Sequence, residues 1–180
     1  MSGPALVRLR PALLTDAAPL ANLGERAFVA KFGHLYSAEN LAAFLAGAHT
    51  PAAVAAEIGD AAMQVTLAVE DAGNGEALVG FCKLKLACGW PEYAQGRRTI
   101  ELKQLYTDPA RVGGGIGGAL MDRALTDARA YGADEMQISV WSGNPGAQRF
   151  YTRYGFAHAA DIEFWVGSHR DEEFLYAGML

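Results

Sequence analysis

The most constraining feature of the sequence is a glycine-rich turn between a strand-like run and a long helix. Residues 100–107 are rich in branched and aromatic side chains, which is typical of a buried strand. An Asp-Pro dipeptide ends the strand, because proline has no N–H for a sheet. Five of the six residues from Gly113 to Gly118 are glycine. Apolar side chains then recur at helical spacing from Ile116 to Tyr131, and the next residue, Gly132, is typical of a helix C-terminus.

This strand, turn and helix predict an anion-binding site. The first turn of a helix has backbone N–H groups without internal partners, and the helix dipole places about half a positive charge there. Glycines let a phosphate approach these N–H groups without meeting a β-carbon. We therefore expect a ligand that carries a diphosphate. The stretch alone leaves one alternative open, a glycine-rich surface loop that binds nothing.

Length and composition bound the class of protein. A chain of 180 residues, 51% of them hydrophobic and 19% charged, predicts one globular domain over residues 1–180. The net charge of −5 and the lack of a Lys/Arg run argue against a nucleic-acid partner. No signal peptide is recognisable, and no stretch is expected to reach the ~20 apolar residues of a membrane span. We therefore expect a cytoplasmic protein without a membrane partner.

The cysteines and histidines do not predict a metal site. Cys82 and Cys88 have neither the spacing of a metal clip nor that of a disulfide framework. The four histidines show no ligand spacing, and we expect no metal. The acidic run at residues 171–173 could attract a polycation, although a solvated turn is the ordinary interpretation.

The remaining patterns predict a mixed α/β sheet with helices on both faces. The elements are expected in the order strand, two or three helices, three strands, helix, strand, helix and two strands. Helices are expected to begin after Thr15, after Ser37 and at Thr50-Pro51, where proline is tolerated in the first helical position. Thr15, Ser37 and Asn144 are suitable N-caps. Strands are expected at residues 5–10, 63–70, 77–86, 100–107, 136–141, 156–161 and 173–178. A short helix is expected to start within residues 143–146 and to run to about Tyr154.

Two segments carry motifs of a known family. Residues Val112 to Gly117 have the sequence V-G-G-G-I-G, and residues Asn144 to Phe156 contain N-x-x-A-x-x-F-Y-x-x-x-G-F. Both are similar to motifs of the Gcn5-related N-acetyltransferase (GNAT) superfamily, and the resemblance covers nearly the whole chain. The first departs from the family pattern at Val112, where Gln or Arg is usual, while Arg111 lies one residue early.

The resemblance implies a GNAT fold and direct transfer of acetyl from acetyl-CoA to an amine in a ternary complex. The O–H of Tyr151 is expected to donate to the sulfur as negative charge develops there, with a half-buried structural aromatic as the alternative. Glu101 is the expected base. A water chain that takes the proton, and a structural ion pair between Glu101 and Lys103, are the alternatives. A base is needed because uncovering the lone pair of an amine of pKa ~10.4 costs about 4–5 kcal/mol at pH 7. Coenzyme A is expected to contact Leu105, Tyr106, Thr107, Val112, Gly113, Gly114, Gly115, Ile116, Gly117, Gly118, Asn144 and Tyr151.

The acceptor is predicted from weaker similarities. The segments 28–41, 101–106, 140–141 and 167–179 resemble the bacterial spermidine/spermine N-acetyltransferases, which implies a small-molecule amine such as a polyamine. Phe32, Tyr36 and Trp141 are expected to border it. A peptide N-terminus, an amino acid or an antibiotic as acceptor, and a non-catalytic acyl-CoA-binding regulator, remain open. Homodimers are common in the family.

A dinucleotide-binding site is the main rival. Gly113, Gly115 and Gly118 match the G-x-G-x-x-G fingerprint. That fingerprint should follow its strand immediately, whereas residues 108–112 intervene here. We therefore favour coenzyme A over a dinucleotide.

Overall fold

The structure is a computed structural model that describes residues 7–73, 75–111 and 113–180. The helices are α1 (Ala17–Phe32), α2 (Ala38–Ala48), α3 (Pro51–Gly59), α4 (Ile116–Tyr131) and α5 (Pro145–Arg153). The strands are β1 (Arg8–Pro11), β2 (Met63–Asp71), β3 (Glu76–Lys85), β4 (Thr99–Thr107), β5 (Glu135–Trp141), β6 (Ala157–Val166) and β7 (His169–Met179).

The strands form one seven-stranded mixed sheet in the order β1-β2-β3-β4-β5-β7-β6. Neighbours are antiparallel except for β4 and β5, which are parallel. One core lies between the sheet and α4, with α5 packed at its edge, and a second lies between the sheet and helices α1 and α3. The predicted mixed α/β class and element order are confirmed.

The two central strands separate soon after they meet. Strand β4 pairs with β5 only where residues 99–101 lie opposite residues 135–137. Beyond that point β4 continues to Thr107 and β5 to Trp141, and the described chain places no strand between them. A wedge-shaped opening therefore runs through the middle of the sheet, and one edge of β4 is left without a strand partner.

A β-bulge in β4 lies where this opening begins. On β3, Lys83 pairs with Gln104 while the next residue, Leu84, pairs with Leu102, so Lys103 is an extra residue. Regular alternation would place Leu102 and Leu105 on opposite faces of the sheet. Both pack in the core next to α4 instead. The bulge thus reverses the alternation along the half of β4 that borders the opening.

The predicted helix cap at Ser37 is confirmed, and Thr50 caps α3 in the same way. The Ser37 hydroxyl accepts from the Asn40 N–H and the Thr50 hydroxyl from the Ala53 N–H, each at 3.2 Å. The prediction for Thr15 is wrong. Residues 14–16 form a short 3₁₀ turn that precedes α1, and the Asp16 carboxylate accepts from the Leu13 N–H at 2.7 Å.

The N-terminal strand also differs from its prediction. Residues 5 and 6 of the predicted strand lie outside the described residues, and the observed strand β1 spans Arg8–Pro11.

The C-terminal hairpin is longer than predicted. Strands β6 and β7 meet at the pair Val166 and His169, so the acidic run lies within β7. Asp171 is only 5% exposed, and the interpretation of this run as a solvated turn is wrong. The alternation of the strand turns Asp171 and Glu173 towards one face and Glu172 towards the other.

Contrary to the prediction, residues 38–59 meet the length and composition of a membrane span, with a mean hydropathy of 1.3. In the structure they form two helices of 11 and 9 residues, α2 and α3. The helices are divided at the Thr50 cap, and each is shorter than the ~20 residues that cross a bilayer.

A buried ion group fastens α3 to the centre of the sheet. The Lys83 side chain is 1% exposed and donates to Glu57 of α3. The second carboxylate oxygen of Glu57 accepts from Lys103 at 2.6 Å. Burial opposes ionisation of Glu57, but the hydrogen bonds from Lys103 and Lys83 lower its pKa. Glu57 therefore remains charged and neutralises the buried Lys83.

This group gives a prediction for stability. Glu57→Ala should lower the free energy of unfolding by about 3–5 kcal/mol, because it leaves the buried Lys83 ammonium without a counter-charge. Glu163→Ala is the control, since Glu163 is 51% exposed and pairs with Arg170 at the surface. The control should cost about 0–1 kcal/mol. Equal urea midpoints for the two variants would contradict the assignment.

Candidate active site

The glycine-rich turn lies in a cleft of about 610 Å³ at the wide end of the opening between β4 and β5. We call it the glycine cleft. It is lined by Thr107, Arg111, the glycine-rich residues 113–118, Phe150, Arg153 and Tyr154. Val112, the residue at which the motif departs from the family pattern, lies outside the described residues.

The backbone of the turn is open to a ligand. Gly113 and Gly115 have φ angles of +88° and +75°, which side chains rarely tolerate. A β-carbon placed on either would meet no atom within 4 Å, so open space lies next to both. Gly115 is the N-cap of α4 and has no side chain with which to cap it. The first N–H groups of this 16-residue helix are therefore available to an anion.

Side chains add positive charge to the cleft. Arg153 of α5 lines it, with its guanidinium 5.9 Å from the centre of the Phe150 ring. Arg111 also lines it but is paired with the buried Glu70. Sequence reasoning missed Arg153, although it lies two residues after Tyr151 within the second motif. Although position 112 is valine and not the usual Gln or Arg, Arg111 and Arg153 still place positive charge in the cleft.

The two walls of the opening carry further predicted residues. Leu105, Tyr106 and Thr107 form the stretch of β4 that has lost its β5 partner. On the β5 side, the Asn144 side chain caps α5 by accepting from the Ala147 N–H at 3.2 Å. This capping role was predicted and is confirmed. One turn further along α5, Tyr151 packs against the sheet and is 6% exposed.

Tyr151 is held as a neutral phenol. Burial raises its pKa, and the neighbouring Tyr106 and Cys82 add to the rise. Its ring contacts Phe150 and Phe156 edge-on at 5.1 and 6.1 Å. The hydroxyl therefore stays protonated at neutral pH, which is the state that can donate a hydrogen bond.

On the α1 side of the sheet, aromatic rings border the opening. Phe32 meets Trp141 edge-on at 6.2 Å between ring centres. Phe28 stacks on Tyr36 at 5.9 Å and on Phe44 at 4.5 Å. The structure thus brings together Phe32, Tyr36 and Trp141, the three residues predicted to border an acceptor.

Two carboxylates of β7 lie beside these rings. Asp171 accepts from the Tyr36 hydroxyl, and its other oxygen is 3.2 Å from His169 Nε2. Glu173 is half-buried two residues further along the same face. Burial, and then the Asp171 charge, raise the pKa of Glu173 to about 7. Sequence reasoning placed this strand but assigned neither residue to the site, although their spacing of two indicates a shared face.

Glu101 lies at the closed end of the opening, where it forms the last pair between β4 and β5. Burial raises its pKa, and the Lys85 and Lys103 ammonium groups oppose the rise. The alternative prediction, an ion pair between Glu101 and Lys103, is wrong, because the ammonium group near Glu101 is that of Lys85. Glu101 is 3.8 Å from the Lys85 ammonium, whereas Lys103 is paired with Glu57.

No group of three or more histidine, cysteine, aspartate or glutamate side chains is placed to hold a metal ion within residues 7–73, 75–111 and 113–180.

Comparison with known proteins identifies the family. The model of the acetyltransferase (GNAT) family matches residues 25–156. An uncharacterised N-acetyltransferase of Mycobacterium tuberculosis is 28% identical over 162 residues, which cover 90% of this chain and 96% of that protein.

Solved structures share the fold. The PaiA N-acetyltransferase of Thermoplasma acidophilum, in complex with coenzyme A, has a TM-score of 0.76 at 19% identity, covering 97% of this chain and 99% of that one. Arabidopsis thaliana NAA60, in complex with a bisubstrate analogue, has a TM-score of 0.71 at 16% identity, and the match also covers 97% of this chain and 99% of that one. The chain therefore belongs to the GNAT family and is an acetyl-CoA-dependent N-acetyltransferase.

Proposed function

We propose that this N-acetyltransferase acetylates a primary amine of a small cationic molecule, and that polyamines are its acceptor class. The observation that carries the proposal is the composition of the opening on its α1 side, where aromatic rings lie next to Asp171 and Glu173. Carboxylates attract ammonium groups, and aromatic faces stabilise them further. Methylene segments of a polyamine would pack against the same rings.

The lysines on this face do not cancel that attraction. Lys83 and Lys103 are both bonded to Glu57, and Lys85 lies beside Glu101. Each of these three lysines of β3 and β4 thus has Glu57 or Glu101 as its carboxylate partner. Asp171 and Glu173 remain to face an incoming cation.

Acetyl-CoA would lie along the opposite side, with its diphosphate on the glycine cleft. The N–H groups at the start of α4 and the Arg153 guanidinium supply the donors, and Leu105, Tyr106 and Thr107 offer an unpaired strand edge to the pantetheine amides. When bound, acetyl-CoA supplies an activated thioester carbonyl. The thioester would lie between the acceptor and Tyr151, which donates to sulfur as charge develops there.

Glu101 and Glu173 are the candidates for the group that takes a proton from the amine.

Cys82 and Cys88 are both free thiols, which fits a protein of the reducing cytoplasm.

The cofactor assignment is tested at Gly117. A β-carbon here would make only ordinary contacts of 3.8–4.0 Å with Leu105, Phe150 and Thr107, so Gly117→Ala should fold and bind coenzyme A. Gly117→Glu should weaken binding at least about 100-fold (about 2.8 kcal/mol), because its carboxylate would meet the phosphates. Calorimetric titration with coenzyme A measures both. Wild-type affinity in Gly117→Glu would refute the assignment.

The role of Tyr151 is tested by removing its hydroxyl. Tyr151→Phe should lower kcat by about 100-fold, as the loss of other transition-state donors does, while the Kd for acetyl-CoA changes little. Tyr131→Phe is the control, since Tyr131 is exposed at the far end of α4. An unchanged kcat in Tyr151→Phe would remove it from the reaction.

The acceptor class is tested by release of free thiol from acetyl-CoA with a panel of amines. Spermidine should exceed hexylamine, an amino acid and an N-terminal peptide by at least about tenfold in kcat/KM, because only the polyamine brings several charges and apolar segments. The advantage should shrink at high salt, since salt screens the attraction. A peptide as best acceptor would refute the polyamine class and leave the acetyltransferase in place.

A further inference from the structure

Glu173 lies at the margin of the opening between β4 and β5. It is directly opposite Trp141, the last residue of β5, and opposite Ile162 of β6. Directly opposite residues share a face of the sheet, so the Glu173 carboxyl is on the same side as the Trp141 ring and the Phe32 ring that contacts it. Strand register thus places Glu173 next to Trp141. The contact between the Trp141 and Phe32 rings brings Glu173 close to a second of the three residues that were predicted to border the acceptor.

The groups around Glu173 leave it without a counter-ion. Asp171 faces it from the same strand, Tyr36 from the α1–α2 connection and Tyr106 from β4. Trp141 and Ile162, its cross-strand neighbours, carry no charge. Within the described part of the chain, no lysine, arginine or histidine lies within salt-bridge distance of its carboxylate.

Asp171 is already engaged. One of its oxygens accepts from Tyr36 and the other faces His169, and Tyr36 is held in turn by stacking on Phe28. Asp171 is thus fixed in place beside Glu173 on the same face of β7. Burial, and then the coulombic effect of Asp171, raise the pKa of Glu173 to about 7.

We propose that Glu173 receives the proton of the acceptor ammonium group and so is the base of the reaction. The inference rests on the proposed function. An ammonium that enters between Trp141 and Glu173 finds a carboxylate without another cation. A base of pKa about 7 also accepts a proton from an amine of pKa ~10.4 more readily than a carboxylate of pKa ~4.3.

The acceptor R–NH₃⁺ passes one proton to the Glu173 carboxylate, and the uncovered lone pair of nitrogen forms a bond to the acetyl carbon. The carbon–sulfur bond breaks, sulfur leaves with the electron pair, and the second proton lost by nitrogen ends on sulfur to give the free thiol. Glu173 then returns its proton to water, so each turnover releases one proton to solution.

Glu101 is the rival for this role. Its carboxyl group lies at the closed end of the opening, 3.8 Å from the Lys85 ammonium, which opposes the rise in pKa that burial causes. Glu173 lies instead where β5 has separated from β4 and has no such partner.

The experiment compares the variants Glu173→Gln, Glu172→Gln and Glu101→Gln with the wild type, using spermidine or the best acceptor of the panel, from pH 5.5 to 9. In the wild type kcat/KM should rise with pH through about 7. Glu173→Gln should lower kcat by about 10²–10⁴-fold and remove the inflection near pH 7, because the rate of the variant then follows the fraction of free amine up to pH 9. Glu172→Gln, on the neighbouring residue that faces away, should keep both rate and profile. Glu173→Asp should keep the rise at a reduced rate.

A second acceptor separates proton transfer from a structural role. Trifluoroethylamine is largely unprotonated at pH 8 and needs no base to uncover its lone pair. The deficit of Glu173→Gln relative to the wild type should therefore shrink to less than about tenfold with this amine. Calorimetry should give the variant a wild-type Kd for acetyl-CoA.

The outcomes are distinguishable. A wild-type rate and profile in Glu173→Gln, or an equal deficit with both amines, would overturn the inference. A profile lost in Glu101→Gln and kept in Glu173→Gln would assign the base to Glu101. A wild-type protein that releases no thiol with any amine would instead overturn the proposed function.

Discussion

The separation of β4 from β5 is the constraint on which the rest of the structure depends. Three residue pairs hold the strands together at one end, and the bulge at Lys103 redirects β4 beyond them. Without the separation, β5 would occupy the edge of Leu105 to Thr107. The sheet stays intact because β4 pairs with β3 and β5 with β7 on their outer sides. A continuous sheet thus contains an opening that passes between its two faces.

The two ends of this opening have opposite electrostatic character. At the glycine cleft, helix N–H groups and Arg153 present positive potential. On the α1 side, Asp171 and Glu173 present negative charge among aromatic rings. An anionic donor and a cationic acceptor can therefore approach from opposite faces and meet in the middle, where Tyr151 is kept neutral by burial.

Local signals in the sequence predicted much of this arrangement. The glycine run predicted the N-terminus of α4, because few other residues adopt positive φ angles. Ser37, Thr50 and Asn144 were predictable as caps, because each acts within three residues of itself. The second motif located Tyr151 on α5. These features depend on neighbouring residues in the chain.

The features that were missed depend on distant partners. The bulge at Lys103 is defined by the register with β3, and the partner of Lys103 is Glu57, 46 residues away. Glu173 was missed because an acidic run is ordinarily a solvated surface, and only its pairing with β5 and β6 places it in the opening.

The most direct test is a crystal structure with coenzyme A and an acceptor analogue. We expect the diphosphate on residues 113–118 and the pantetheine along Leu105 to Thr107, with the acceptor amine beside Trp141 and Glu173. A diphosphate bound elsewhere, or a β5 strand paired with β4 along its whole length, would contradict the central claim that the separated strands form the site.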